Sequence, residues 1–241
     1  TNNLKDLEYV NQMSVVMVTR NGTIKKTSLE AYSRPRVNGV NAIEIRDNDQ
    51  LLGAYLTNGT SEIMIATKNG KCIRFPEAKV REVGRGSIGV RGISMEENDE
   101  VIGMIVVNDL ENDTVLVVSE KGYGKRTAVE DYRITNRGGK GVITLNITEK
   151  TGNLIAIQNV TDEDGLMIIN KSGVAIRMNM NDMRVMGRNT QGVKMINLKK
   201  NDEIAAIAKV EMDKDVVDED ELLEGEEGII LPTEEGDAPE I

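Results

Sequence analysis

A pattern of roughly fifty residues recurs four times along this chain, and it limits the fold to a repeat architecture. Each copy opens with four apolar residues: Val15 to Val18, Ile63 to Ala66, Val115 to Val118 and Leu166 to Ile169. A turn glycine follows at Gly22, Gly70, Gly122 and Gly173. A second glycine precedes valine in every copy, as Gly39-Val40, Gly89-Val90, Gly141-Val142 and Gly192-Val193. The first glycines are spaced 48, 52 and 51 residues apart and the second 50, 52 and 51.

The short apolar runs are rich in β-branched residues and bounded by turn residues, which suits strands buried on both faces. Asn21-Gly22 and Asn69-Gly70 are strong hairpin signals, since both central positions tolerate positive φ. Return strands are predicted at Thr23 to Thr27, Lys71 to Phe75, Tyr123 to Thr127 and Val174 to Met178. An irregular stretch leads to the second glycine, and a further strand is predicted after it, such as Val40 to Ile45 or Val90 to Ile93. Each copy closes on another apolar run, starting at Leu51, Val101, Leu154 and Ile204. The expected fold is all-β: a propeller-like array of four-stranded antiparallel blades at about 14–60, 61–109, 113–160 and 165–210. Residues 1–13 read as a lead-in and 211–241 as a disordered acidic tail. With no tryptophan or histidine, the chain lacks the signature pairs of WD40 propellers, and its one glycine doublet, Gly138-Gly139, counts against kelch repeats.

Charge follows the same period. Four residues past each first glycine stand Lys26, Arg74, Arg126 and Arg177, with Lys25 and Lys125 beside two of them. The loops before the second glycine supply Arg34 and Arg36, then Arg85, then Arg137 and Lys140, then Arg188. Arg91 and Lys194 follow that glycine in the second and fourth copies. All fourteen are expected to face outward as a belt that grips phosphates, helped by glycine-rich backbone at Gly84, Gly86, Gly138, Gly139 and Gly187. Taken singly, any of these cations reads more readily as a solvated surface charge; the recurrence in all four copies favours a belt. The net charge of −10 conceals the asymmetry: residues 211–241 carry 14 acids and one cation, whereas residues 1–210 carry 29 cations against 26 acids. Such a split points to a polyanionic partner, with the tail expected to reach the rim and compete for it. The absence of histidine and the single cysteine, Cys72, leave no imidazole base and no zinc ligand set. No apolar run is long enough to span a bilayer, and a cytoplasmic location is expected.

Three motifs extend the reading: Lys121-Gly122-Tyr123-Gly124-Lys125-Arg126-Thr127, Arg137-Gly138-Gly139-Lys140-Gly141 and Gly187-Arg188-Asn189-Thr190-Gln191-Gly192-Val193. Together with Gly89-Val90-Arg91-Gly92-Ile93, the set resembles the C-terminal domain of bacterial DNA gyrase A over about residues 14–210. The resemblance implies a β-pinwheel whose outer rim binds and wraps double-stranded DNA without sequence preference. It implies partnership with the remainder of gyrase A and with gyrase B, in an A2B2 assembly on the chromosome. ATP and magnesium would be used elsewhere in that assembly, with no cofactor and no catalytic residue in this chain. The four copies resemble blades three to six of six. The family's box, Gln-Arg-Arg-Gly-Gly-Lys-Gly, belongs to the first blade; Thr135-Asn136-Arg137-Gly138-Gly139-Lys140-Gly141 is its nearest likeness here and differs at two positions. The corresponding domain of topoisomerase IV and a propeller-like interaction scaffold that does not bind DNA are the alternatives.

Overall fold

A computed structural model describes residues 4–211. A short helix, α1 (Leu7–Gln12), is capped by Asp6, whose carboxylate accepts from the amides of Glu8 and Tyr9 at 3.0 and 3.2 Å. The first repeat supplies β1 (Ser14–Thr19), β2 (Thr23–Ser28) and β3 (Leu51–Thr57). The second adds β4 (Glu62–Thr67), β5 (Lys71–Pro76), β6 (Val90–Arg91) and β7 (Val101–Val107). The third adds β8 (Thr114–Ser119), β9 (Tyr123–Ala128), β10 (Val142–Ile143) and β11 (Leu154–Val160). The fourth adds β12 (Asp164–Asn170), β13 (Ala175–Asn179), β14 (Val193–Lys194) and β15 (Ile204–Glu211). The hairpins and returning strands fall where the sequence places them. The acidic tail lies outside the described residues, apart from the Glu211 backbone at the end of β15.

The sheets correct one expectation. The strand after the second glycine does not join its own repeat but crosses to the preceding one, giving the orders β3-β1-β2-β6, β10-β5-β4-β7 and β11-β8-β9-β14. Val90 stands opposite Ile24, Val142 opposite Cys72 and Val193 opposite Gly124. Each of the first three blades is therefore three strands of one repeat and a fourth donated by the next. Two segments depart from this rule. Residues 40–45 of the first repeat, predicted as a strand, form none. Among the described residues the last sheet has three strands, β13-β12-β15.

Donation explains the second glycine. At Gly141 (φ +72) a Cβ would sit 2.6 Å from the Cys72 carbonyl oxygen, and at Gly192 (φ +75) one would sit 2.4 Å from that of Gly124. Only glycine allows both the left-handed backbone and the close approach to the neighbouring blade.

The core lies between blades, which is why the hairpin strands read as unbroken apolar runs. Ile63 and Ile65 of β4 pack against Val16 and Val18 of the first blade. Met64 and Ala66, on the opposite face, meet Val115 and Val117 of the third. Leu116 and Val118 then meet Leu166 and Ile168 of the fourth. On β12 the alternation ends: Leu166 and Ile168 are buried, but Ile169 is 38% exposed. The last strand of each repeat is innermost, and Leu52, Ile102, Ile155 and Ala206 line one shared axial cleft. These strands begin on the previous blade, where the Val101, Leu154 and Ile204 amides donate to the carbonyls of Arg20, Lys68 and Glu120 at 2.9 Å each. The donated strands and their loops therefore form the outer edge.

Candidate nucleic-acid interface

The two cation series have opposite fates. The series four residues past the first glycine points inward, contrary to the expected belt. Arg74 is only 6% exposed; it pairs with Glu62, and its Nη1 donates to the carbonyls of Val129 and Tyr132 at 2.8 and 3.0 Å. Arg126, at 2% exposed, repeats this one blade later. Its Nη1 donates to the Met180 and Met183 carbonyls, Nη2 to Asp162 at 2.6 Å and Nε to Thr114 Oγ1 at 3.1 Å. Lys26 completes the set through an ion pair of 2.9 Å with Glu77, whose side chain is fully buried. Burial alone would raise the Glu77 carboxyl, but the Lys26 ammonium and the Ser61 amide outweigh it and leave the group below the usual glutamate range.

These side chains share a physical cause. Each donated loop runs over the outside of the post-turn strand before it, shown by parallel bridges from Lys26 to Glu82, Arg74 to Ile134 and Arg126 to Val185. A long cation on that strand is enclosed by the next repeat, and a buried charge must find partners there. It finds the short 3-10 turns at Glu77–Lys79 and Val129–Asp131, and the equivalent turn at Met180. Lys26, Arg74 and Arg126 are thus interblade staples, not rim contacts. Arg177 of the same series is exposed on β13.

Lys25 and Lys125 are also corrected. Both are essentially inaccessible, with relative exposures of 1% and 0%. Lys25 Nζ donates to the carbonyls of Ala42 (2.6 Å) and Arg85. Lys125 Nζ donates to those of Gly187 (3.0 Å), Arg188 and Thr190 (3.3 Å). Lys125 holds the next repeat's loop by its carbonyls, and Lys25 ties Arg85 of the next repeat to Ala42 of its own; in the second and fourth repeats the same position is Ile73 and Ile176. Burial, reinforced by the nearby Arg188 and opposed by Asp131, lowers the Lys125 pKa to about 8. Between about pH 8 and 10.5 an unfolded chain retains a proton that the folded chain has released, so this group's contribution to stability rises with pH over that window. Urea unfolding of the parent chain and Lys125→Ile at pH 7 and pH 10 checks this. The stability difference should move toward the parent by about 2–3 kcal/mol. An unchanged difference would refute the assignment.

The second series stays outside. Arg137 donates from Nε to the Lys79 carbonyl at 3.0 Å and from Nη1 to that of Arg91 at 3.1 Å. Arg188 does the same one blade on, to Asp131 at 3.1 Å and Ile143 at 2.9 Å. Two N–H groups brace each guanidinium across a blade junction, and the others have no protein partner among the described residues. Arg85 is half-buried and has no such brace among the described residues. Arg91, Lys140 and Lys194 are exposed on the donated segments, and Arg34 and Arg36 are exposed in the unpaired first loop.

A third series escaped the sequence reading. Arg81, Arg133 and Arg184 all stand eight residues before the second glycine, and all are exposed. Counting back from that glycine, rather than forward from the first, finds them. Arg133, Arg137 and Lys140 come together around a cleft of about 480 Å3 whose other lining residues are Thr135, Asn136 and three glycines. It contains no carboxylate. Such a concavity suits a phosphate: cations on its wall and glycine backbone that lets an anion approach closely. Among the described residues there is no cluster of acids or cysteine suited to a metal ion, and no helix long and apolar enough to cross a membrane.

Comparison with known proteins agrees with this architecture. A family model described as the DNA gyrase C-terminal domain, beta-propeller, matches residues 14–58, 61–108, 113–161 and 166–211. The DNA gyrase A subunit of Staphylococcus aureus (strain NCTC 8325 / PS 47) is 43% identical over 233 residues, spanning 97% of this chain and 26% of that protein. Its counterpart from strain MRSA252 is 44% identical over 218 residues, spanning 90% and 24%. The chain thus covers about a quarter of the length of these curated relatives. Among solved structures, the C-terminal domain of DNA topoisomerase IV superposes with a TM-score of 0.78 at 24% identity, over 83% of this chain and 62% of that one. A DNA gyrase A C-terminal domain gives 0.73 at 24%, over 83% and 66%. At that identity the superpositions speak for the fold. With four in-register family matches laid on four blades, the chain belongs to the DNA gyrase C-terminal domain family of β-propellers.

Proposed function

We propose that this chain binds and bends double-stranded DNA along its outer edge, as the wrapping module of a DNA gyrase A. The observation that carries the reading is the repetition of braced, outward arginines at successive blade junctions, Arg137 and then Arg188, each beside an unbraced exposed arginine, Arg133 and then Arg184. A duplex following these junctions meets positive charge once per blade and must curve with the array. Nothing among the described residues resembles a recognition helix, so the contacts are to phosphate, and selectivity comes from the deformability of the DNA. In the complete A2B2 assembly, with the remainder of gyrase A and with gyrase B, the bent segment serves ATP-dependent negative supercoiling. ATP and magnesium act outside this chain, and the assembly sits on the bacterial chromosome in the cytoplasm. The 43–44% identity to gyrase A sequences supports gyrase over topoisomerase IV as the parent enzyme.

Removing the buried series from the rim lowers the expected number of phosphate contacts. Three junctions with about two contacts each correspond to about six phosphates and a log-log salt slope near −5. A titration of linear duplex by gel shift across 50–200 mM salt measures it, and a slope shallower than about −2 would sink the reading. A relaxed plasmid closed with the protein bound should then retain a linking difference. Binding with the expected slope but no trapped difference would mean that the chain binds DNA without bending it.

A further inference from the structure

Lys125 does more than hold a loop. Its ammonium has three hydrogens, and three carbonyls of one loop accept from it: those of Gly187 (3.0 Å), Arg188 and Thr190 (3.3 Å). The side chain is fully buried, so these carbonyls point into the protein. The described residues contain no cis peptide, and a trans peptide directs its N–H opposite to its C=O. The amides that follow the three carbonyls, on Arg188, Asn189 and Gln191, therefore point outward.

None of these three amides donates to an acceptor among the described residues. Asn189 is exposed, Arg188 and Gln191 are half-buried, and a Cβ added at Gly187 would meet nothing within 4 Å. Residues 183–201 contain no acid. The outer side of the loop is thus open backbone with three free donors, next to the Arg188 guanidinium. Successive outward amides of this kind form a nest for an anion.

The neighbouring loops are held differently. On the first blade, Lys25 takes the Arg85 carbonyl from the second repeat but turns its other hydrogen bond to Ala42. On the second blade, Ile73 stands where Lys125 would be. There the Gly138 and Gly139 carbonyls accept from the Ser94 hydroxyl at 2.7 Å and the Ser94 amide at 2.9 Å. The Gly138 amide is also engaged, donating to the Gly92 carbonyl at 2.6 Å.

We propose that the Arg188, Asn189 and Gln191 amides form a phosphate-binding nest, turned outward by the Lys125 ammonium, which takes a backbone phosphate of the duplex. The inference rests on the functional reading above and adds to it a main-chain contact and a proton. Charged groups on the elements around Lys125 are Arg126, Glu130, Asp131, Arg184, Arg188 and Lys194. Burial and Arg188 bring the amine down to about 8, against the pull of Asp131. A phosphate in the nest adds negative charge and favours the ammonium form. Binding at this junction therefore draws a proton onto Lys125, and affinity falls as pH rises past about 8. The neutral amine has only two hydrogens for three carbonyls, so the loop that shapes the nest is then held less firmly.

Amide NMR of the 241-residue chain, titrated with linear duplex at low salt, tests the nest. The Asn189 and Gln191 amide protons should move downfield as they bond to phosphate, while those of Val117 and Val118 stay fixed. Duplex binding that leaves Asn189 and Gln191 unmoved overturns the proposal alone, whereas no binding at all sinks the functional reading and the nest with it. Gel shifts from pH 7 to 9.5 test the proton. The parent should lose about tenfold in affinity, the effect of a one-unit rise in the Lys125 pKa on binding. Lys125→Ile carries the residue that the second and fourth repeats have at this position. It should bind about tenfold more weakly than the parent at pH 7, for the same one unit, and show no step near pH 8. A parent without the step, or a variant that keeps it, shows that Lys125 is structural only and overturns its role.

Discussion

Changing Arg137 and Lys140 together to glutamate is expected to weaken duplex binding about a hundredfold or more at 100 mM salt, whatever the sequence of the duplex. The magnitude follows from two lost charge-assisted contacts at about 1.5–3 kcal/mol each. The log-log salt slope should become shallower by about 2. Both side chains line the cleft that holds three cations and no acid, so the substitution reverses the sign of the field where a phosphate would sit. Arg137 also braces the junction through the Lys79 and Arg91 carbonyls. Lys140→Glu alone separates the two effects, because Lys140 is exposed and makes no side-chain hydrogen bond or ion pair among the described residues. If affinity at low salt is unchanged in the double variant, the cleft is structural and the proposed path of DNA is wrong.

Arg126→Met should behave in the opposite way. The guanidinium is buried, and its removal leaves the Met183 carbonyl and the Thr114 hydroxyl without that donor and Asp162 without its partner, while the Met180 carbonyl keeps only the Met183 amide. Breaking such a buried charged network costs about 3–5 kcal/mol, which is a large part of the margin of a domain this size. The urea midpoint should fall accordingly. Duplex affinity of the protein that remains folded should change less than about threefold, because the side chain does not face the rim. A tenfold loss of affinity with stability intact would restore Arg126 to the interface and refute its assignment as a staple.

The contrast between these two arginines shows what the sequence could and could not disclose. The repeat, the hairpins and both glycine series were legible, because local turn chemistry and burial on two faces leave direct marks in residue order. Strand donation was not: when every repeat has the same spacing, pairing a Gly-Val strand with its own hairpin or with the preceding one produces an identical pattern. That single ambiguity also misplaced the charges. Arg74 and Arg126 have the same periodicity as rim residues, but the loop that covers them comes from the next repeat, about sixty residues later. Their partners are largely backbone carbonyls, which no side-chain pattern reveals. Arg137 and Arg188 are half-buried, and their bracing across the junction runs to backbone carbonyls that residue order does not disclose. Arg81, Arg133 and Arg184 were missed because their period is visible only from the second glycine.

Borrowing a strand from the following repeat has a consequence for synthesis. On the ribosome, the first hairpin is closed once Ser28 has emerged, but its sheet lacks an outer member until Val90 and Arg91 are made. At about 5–20 residues per second that interval is roughly 3–12 s. Each of the first three nascent blades thus waits with a bare flank for its successor, and a translational pause inside one repeat prolongs the exposure of the one before it.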